Sequence, residues 1–89
     1  MSENMGALLQ PNVSTTTLLS LGNNSLTRVP DRITEMPDLV HVSLGNNNIH
    51  SIPKDKFNFT KTLQYLGFND NQLDSIAPGA FQGIIEVTI

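Results

Sequence analysis

Residues 39–53, LVHVSLGNNNIHSIP, show most clearly the pattern from which the fold of this chain is predicted. Val42 and Leu44 stand two residues apart with polar neighbours, which is the period of a short strand with one buried face. Asn47 comes three residues after Leu44, and Pro53 ends the stretch. Because proline has no backbone N–H and a fixed φ, we expect the chain to leave the strand and turn before it returns.

The same order of residues occurs twice more in the chain. The matching stretches are 16–30, TTLLSLGNNSLTRVP, and 63–78, LQYLGFNDNQLDSIAP. Their asparagines, Asn24, Asn47 and Asn71, are separated by 23 and 24 residues. A period of this length indicates an array in which each unit buries its apolar face against its neighbours.

This pattern resembles the leucine-rich repeat, L-x-x-L-x-L-x-x-N-x-L-x-x-L-P, over residues 13–89. The resemblance implies an α/β fold, a leucine-rich repeat solenoid that forms a segment of a horseshoe. A short parallel sheet would line its concave face, and turns or short helices its convex face. Thr16 and Phe68 depart from the pattern, since each replaces a leucine.

The repeat divides the chain into an N-terminal segment, 1–12, and a repeat domain, 13–89. The units run over about 16–38, 39–62 and 63–86, and a fourth begins at 87–89. Because repeat arrays need polar caps, the bare end predicts a fragment of a longer protein with adjoining repeats, or a truncated gene product. An exposed edge strand near Val87 and Ile89 also predicts low stability or self-association.

Local chemistry supports this arrangement. An asparagine amide both donates and accepts, so Asn24, Asn47 and Asn71 are predicted to form a buried ladder that satisfies backbone groups leaving the sheet. Residues 30–36 begin with a proline and predict one helical turn. We expect looser turns at 53–57 and 78–81.

Candidate contact residues follow from the resemblance, in which ligands usually dock on the concave strand face. Leu18, His41 and Tyr65 occupy equivalent outward positions and should form one row across three strands; tyrosine is favoured at interface hot spots. The small residues beside them, Ser20, Ser43 and Gly67, would leave room for a partner's side chains. The alternative is that these side chains simply cover a short sheet.

Catalytic and metal chemistry have no recognisable motif here. The chain has no cysteine, and its glycines match neither dinucleotide-binding nor phosphate-binding loops. His41 and His50 should face different ways, whereas a metal site needs three or four converging ligands. We therefore expect no enzyme activity, no cofactor and no metal.

The net charge and the targeting signals limit the partners and the compartment that we expect for this chain. The formal net charge is −3 and no basic block occurs, so we expect no nucleic acid and no membrane contact. The N-terminal residues lack the features of a signal peptide, and no stretch is apolar enough to span a membrane. The sequons at Asn12, Asn23 and Asn58 favour an extracellular or receptor ectodomain for a fragment, whereas the missing signal peptide favours the cytoplasm.

Three functions remain open. The first is a protein-binding module, the recognition or scaffold segment of a larger protein. The second is the sensor fragment of a receptor-like protein kinase, whose catalytic motifs would lie outside these residues. The third is a structural spacer or a truncated gene product. Since repeat scaffolds separate fold from specificity, the ligand is not encoded in the repeat pattern.

Overall fold

The computed structural model describes residues 14–53, 56–57, 62–81 and 83–89. In chain order, its strands are β1 (Leu18–Ser20), β2 (His41–Ser43), β3 (Ser51–Ile52), β4 (Tyr65–Gly67), β5 (Ser75–Ile76) and β6 (Glu86–Thr88). Strands β1, β2, β4 and β6 form a four-stranded parallel sheet in that order, and β3 pairs with β5 in a second parallel sheet.

Three strands of the four-stranded sheet come one from each repeat stretch, as the alternation of apolar residues predicts, and the fourth, β6, comes from the residues that follow the third stretch. In the register of the sheet, Leu19 lies opposite Val42, Val42 opposite Leu66, and Leu66 opposite Val87. The first three of these side chains are buried, while the residues on either side in β1 and β2 are not. A three-residue strand is too short to be stable alone, so these strands depend on lateral pairing.

The core is one continuous apolar cluster beneath the sheet. Its centre is Phe68, which is fully buried and contacts Phe57 edge-on with ring centroids 5.9 Å apart. The Phe81 ring also packs against Phe68, with ring centroids 6.1 Å apart. The remaining buried apolar side chains come from the three repeat stretches and from the segments that follow the first and the third: Leu19, Leu21, Val29, Ile33, Met36, Leu39, Val42, Leu44, Ile49, Ile52, Leu63, Leu66 and Ala80.

The predicted helical turn is present as a 3₁₀ helix, Asp31–Glu35, directly after Pro30. Ile33 is its buried residue and anchors the helix to the core. The turn at 78–81 buries Ala80, whose N–H donates to the Ala77 carbonyl at 3.0 Å. The turn expected at 53–57 lies partly outside the described residues.

The second sheet has no counterpart in the sequence prediction. Strands β3 and β5 contain two residues each, with Ser51 opposite Ser75 and Ile52 opposite Ile76. Two residues are too few to show a period, so no alternation could reveal these strands. Their pairing follows from the stacking of units, which brings equivalent segments side by side.

The fourth strand also differs from its expected position. It spans Glu86–Thr88, and Val87 lies opposite Leu66, whereas a 24-residue period would place it in the position of Leu63. The segment before β6 is shorter than the earlier ones because Ile84 already packs against the core there. The Ile84 N–H donates to the Phe81 carbonyl at 3.1 Å, which tightens the turn into the strand.

Candidate functional site

The outward side of the four-stranded sheet brings three of the predicted contact residues into one row. Leu18 lies opposite His41, and His41 opposite Tyr65. The His41 and Tyr65 rings are stacked, with centroids 4.3 Å apart and planes inclined by 28°. Leu18 remains 60% exposed at the end of the row. We call Leu18, His41 and Tyr65 the outward row.

The Tyr65 side chain also covers part of the sheet beside the outward row, at Gly67. Its hydroxyl lies 3.3 Å from the Thr88 Oγ1, so the side chain reaches across the sheet toward β6. A Cβ atom added to Gly67 would lie 2.9 Å from the Tyr65 hydroxyl oxygen. Gly67 is therefore buried beneath the phenol, and the open space that we expected at this glycine is filled by the chain itself.

The other two small residues keep their expected positions. Ser20 is exposed, and Ser43, which lies opposite both Ser20 and Gly67, is half-buried. The outward face thus combines an apolar and aromatic row with a short strip of hydroxyls beside it. Sequence spacing places these residues on one face, but the packing of Tyr65 over Gly67 depends on a side-chain rotation that spacing does not encode.

The asparagines lie where each strand ends, and their amides join neighbouring units. The Asn47 Oδ1 accepts from the N–H groups of Asn24 and Leu26, both at 3.0 Å. Its Nδ2 donates to the carbonyls of Leu21 at 3.1 Å and Leu44 at 3.0 Å. A single buried amide thus satisfies backbone groups of two units, and its role in the site is structural.

Asn24 and Asn71 repeat parts of this arrangement. Asn24 is buried and donates to the Leu21 carbonyl at 2.7 Å. Asn71 is half-buried, accepts from the Ile49 N–H at 3.0 Å and donates to the Leu44 carbonyl at 2.9 Å. Asn24, Asn47 and Asn71 together are called the asparagine ladder below.

A second set of polar residues precedes the ladder and was not singled out in the sequence. Asn23, Asn46 and Asp70 each adopt a positive φ, of 63°, 57° and 60°. Asparagine and aspartate are the non-glycine residues that tolerate this left-handed conformation best. The signal was available, since an Asn or Asp stands one residue before each ladder asparagine.

The sequons have different environments. Asn23 is exposed, whereas the adjacent Asn24 is buried in the asparagine ladder. The asparagine of this sequon that would carry a glycan, Asn23, is therefore exposed to solvent. The sequons at Asn12 and Asn58 lie outside the described residues.

Charged residues of the segment between β1 and β2 pair with one another and with Lys56, which follows β3. The Lys56 ammonium bonds the Asp31 carboxylate, and Arg28 lies 4.0 Å from it. The hydrogen bond and charge of Lys56, with the charge of Arg28, hold the pKa of Asp31 below its usual range. This cross-unit pair was not predicted, because 25 residues separate its partners.

The two histidines have different neighbours. His41 stacks on Tyr65, whereas the His50 Nδ1 lies 4.0 Å from the Asp74 Oδ2 at an exposed position. Within the described ranges, no three metal-ligating side chains converge, and no pocket opens into that part of the fold. None of the described helical segments has the length and apolar character to cross a membrane.

Comparison with known proteins identifies the family. A family model described as leucine rich repeat matches residues 37–88, which is more than half of the chain. No curated protein and no solved structure matches the sequence. The family match covers the second and third repeat stretches, their asparagines and the paired strands β2, β4 and β6. This chain belongs to the leucine-rich repeat family.

Proposed function

We propose that the chain is a protein-binding repeat module whose contact surface is the outward row. The observation that carries the proposal is the stacked pair of His41 and Tyr65 in line with the exposed Leu18. Tyrosine buries a large area with little loss of side-chain entropy, and it also offers a hydroxyl. Membership of a family of protein-interaction repeats supports the same function.

The shape and charge of this surface favour a protein over other ligands. Small molecules bind in concave sites that enclose most of their area, whereas the outward row lies on the open face of a sheet. A net charge of −3 disfavours a phosphate backbone. The row offers an apolar and aromatic centre with the hydroxyls of Ser20 and Ser43 at its side, which suits the mixed chemistry of a protein surface.

We infer further that this face is the concave side of a horseshoe segment that belongs to a larger recognition protein. The support is the asymmetry between the two sides of the core. The outward sheet is made of short, laterally paired strands, while the 3₁₀ helix occupies the segment between β1 and β2. No observation on the described residues favours a kinase sensor or a spacer over this function.

The test compares proteins captured by four immobilised forms of the chain. These are the wild type, the His41→Ala/Tyr65→Ala variant, the Leu18→Ala variant and a matched control, Thr34→Ala. Thr34 is exposed on the 3₁₀ helix, so its change leaves the outward row intact. Proteins held by the wild type and the control but lost from the double variant are identified, purified and titrated.

For such a partner, we expect the dissociation constant to rise at least about tenfold in the double variant, since hot-spot truncations each cost upward of 1–2 kcal/mol. The Leu18→Ala variant should show a smaller loss. Equal capture by all four forms would contradict the proposal. Circular dichroism of each form verifies that the fold is retained.

A further inference from the structure

Strand β6 adds a carboxylate to the line of the outward row. Glu86 lies opposite Tyr65 in the register of the sheet, and its side chain is exposed. Val87 packs against the core, so Glu86 and Thr88 on either side of it face outward. The line of outward side chains that begins at the apolar Leu18 therefore reaches an acidic residue beside the tyrosine.

The position of Glu86 is set by its contacts with the preceding strand. Its N–H donates to the Gln64 carbonyl at 2.9 Å, and two residues later the Thr88 Oγ1 lies 3.3 Å from the Tyr65 hydroxyl. A further strand paired with β6 would widen the sheet sideways and leave Glu86 and Thr88 on the same face. The phenol and the carboxylate therefore stay side by side on this surface in a larger repeat protein as well.

Glu86 also differs in charge from the rest of the outward face. Among the outward residues of the four strands, it alone carries a carboxylate, and none carries an ammonium or guanidinium group. The three cations of the described residues, Arg28, Arg32 and Lys56, lie outside the four-stranded sheet and pair with carboxylates there. An approaching partner thus meets a negative charge next to an aromatic ring, with no described cation of the chain beside them.

On the basis of the proposed function of the outward row, we propose that Tyr65 and Glu86 together bind an arginine side chain of the protein partner. The His41 ring covers one face of the Tyr65 ring, at 4.3 Å between centroids. The other face is on the side of β6, where a planar guanidinium can stack on it. The Glu86 carboxylate can accept two parallel hydrogen bonds from the same guanidinium group.

Arginine fits this pair of side chains better than lysine does. A guanidinium is planar and weakly hydrated, so it stacks on an aromatic ring and pairs with a carboxylate at once, whereas an ammonium is a compact and strongly hydrated charge. The ring is also held in place before a partner arrives, because Tyr65 rests over Gly67 and its hydroxyl lies beside Thr88. Binding therefore costs little side-chain entropy on this surface.

The other end of the line specifies a second feature of the partner. Neighbouring strands lie about 4.8 Å apart, so Leu18 is about 14 Å from Glu86 along the line. An extended segment that crosses the strands advances about 3.3 Å per residue, and its alternate side chains face the sheet. The side chain that contacts the exposed Leu18 is therefore an apolar one, about four residues from the arginine.

Selection from a library of displayed random peptides tests this chemistry. The immobilised full-length forms are the wild type, Glu86→Gln, His41→Ala/Tyr65→Ala and the matched control Thr34→Ala. We expect the wild type and the control to enrich arginine over the starting library, with an apolar residue about four positions away. The Glu86→Gln form should lose the excess of arginine and keep the apolar residue.

The outcomes separate this inference from the proposed function. Peptides that are lost from the His41→Ala/Tyr65→Ala form but show no excess of arginine overturn the arginine site and leave the outward row as the binding surface. The same excess of arginine on Glu86→Gln also overturns the site alone. Equal selection by the double variant, or no selection by any form, overturns both. Circular dichroism verifies that each form is folded.

Titration of one selected peptide then measures the contact itself. Glu86→Gln should raise the dissociation constant about 2- to 5-fold, and so should the exchange of the peptide's arginine for the uncharged citrulline. The two changes together should cost no more than either alone, because each removes the same ion pair. Added salt should weaken binding to the wild type more than binding to Glu86→Gln. Losses that multiply in the combined case would show that the carboxylate and the arginine do not touch, which overturns the site.

Discussion

At the scale of single residues, Asn47 is the member of the asparagine ladder that we expect to contribute most to the stability of the fold. Its amide serves five backbone partners in two repeat stretches and is buried, whereas Asn71 is half-buried at the end of the ladder. We expect Asn47→Ala to lower the free energy of unfolding by about 1–3 kcal/mol, since the backbone groups are left unsatisfied. Urea denaturation should show a smaller loss for Asn71→Ala, and equal losses would contradict this ranking.

Ser25 has a backbone conformation that its side chain disfavours. Its φ is 61°, in the left-handed region, whereas Asn48 at the equivalent position does not have a positive φ. Ser25→Gly should therefore raise the free energy of unfolding by about 0.5–1 kcal/mol, because glycine avoids the steric cost. Asn48→Gly is the matched control and should lower it in the same thermal denaturation assay. Destabilisation by both changes would show that Ser25 is not strained.

The spacing of residues predicted which side chains share the outward face, but not how they pack. Leu18, His41 and Tyr65 are equivalent by register, so the repeat alone places them in a row. The closure of Tyr65 over Gly67 arises because a glycine and a threonine stand beside it and leave room for its ring. Side-chain rotations of this kind depend on neighbours in space and leave no periodic signal in the chain.

At the scale of elements, the ion pair between Lys56 and Asp31 ties the 3₁₀ helix to the segment that follows β3. The pKa of Asp31 is lowered in the folded chain, so the stabilisation is present above the ordinary carboxyl pKa and is lost as the pH falls through the lowered value. We expect Lys56→Met to be slightly less stable than the wild type at neutral pH.

The difference between the two forms should vanish in acid below the lowered pKa of Asp31, where the carboxylate is protonated in both. Denaturation curves at the two pH values measure it, and added salt should reduce it at neutral pH because the pair is exposed. A difference that persists in acid would show that the lysine stabilises the chain through its aliphatic stem instead.

The repeat pattern predicts some of the secondary-structure elements and not others. A strand in every repeat stretch and a helical turn after Pro30 follow directly from spacing and proline chemistry. Strands β3 and β5 do not, because two residues carry no period. The position of β6 also differs, because the packing of Ile84 and Phe81 against the core shortens the segment before that strand.

At the scale of the whole molecule, Phe68 joins the parts of the core. It contacts Phe57 from the preceding unit and Phe81 from its own, and it is fully buried. Phe68→Ala should cost about 3–5 kcal/mol, a large part of the roughly 5–15 kcal/mol available to a typical domain. Phe68→Leu restores the repeat pattern and should cost less than about 1.5 kcal/mol.

Thermal denaturation followed by circular dichroism distinguishes these two variants. We expect the alanine form to be largely unfolded at 37 °C or to melt far below the wild type, and the leucine form to melt near it. Similar melting of all three would mean that the phenyl ring does not hold the core together.

At this scale, we propose that the outward row is the protein-binding surface of this leucine-rich repeat chain. The most direct measurement is an NMR titration of the isotope-labelled chain with a partner identified by differential capture. We predict the largest amide shifts in β1, β2 and β4, together with a change in the emission of Tyr65, the single tyrosine in a chain without tryptophan. Shifts confined to the 3₁₀ helix and the other segments between strands, with Tyr65 unchanged, would contradict the claim.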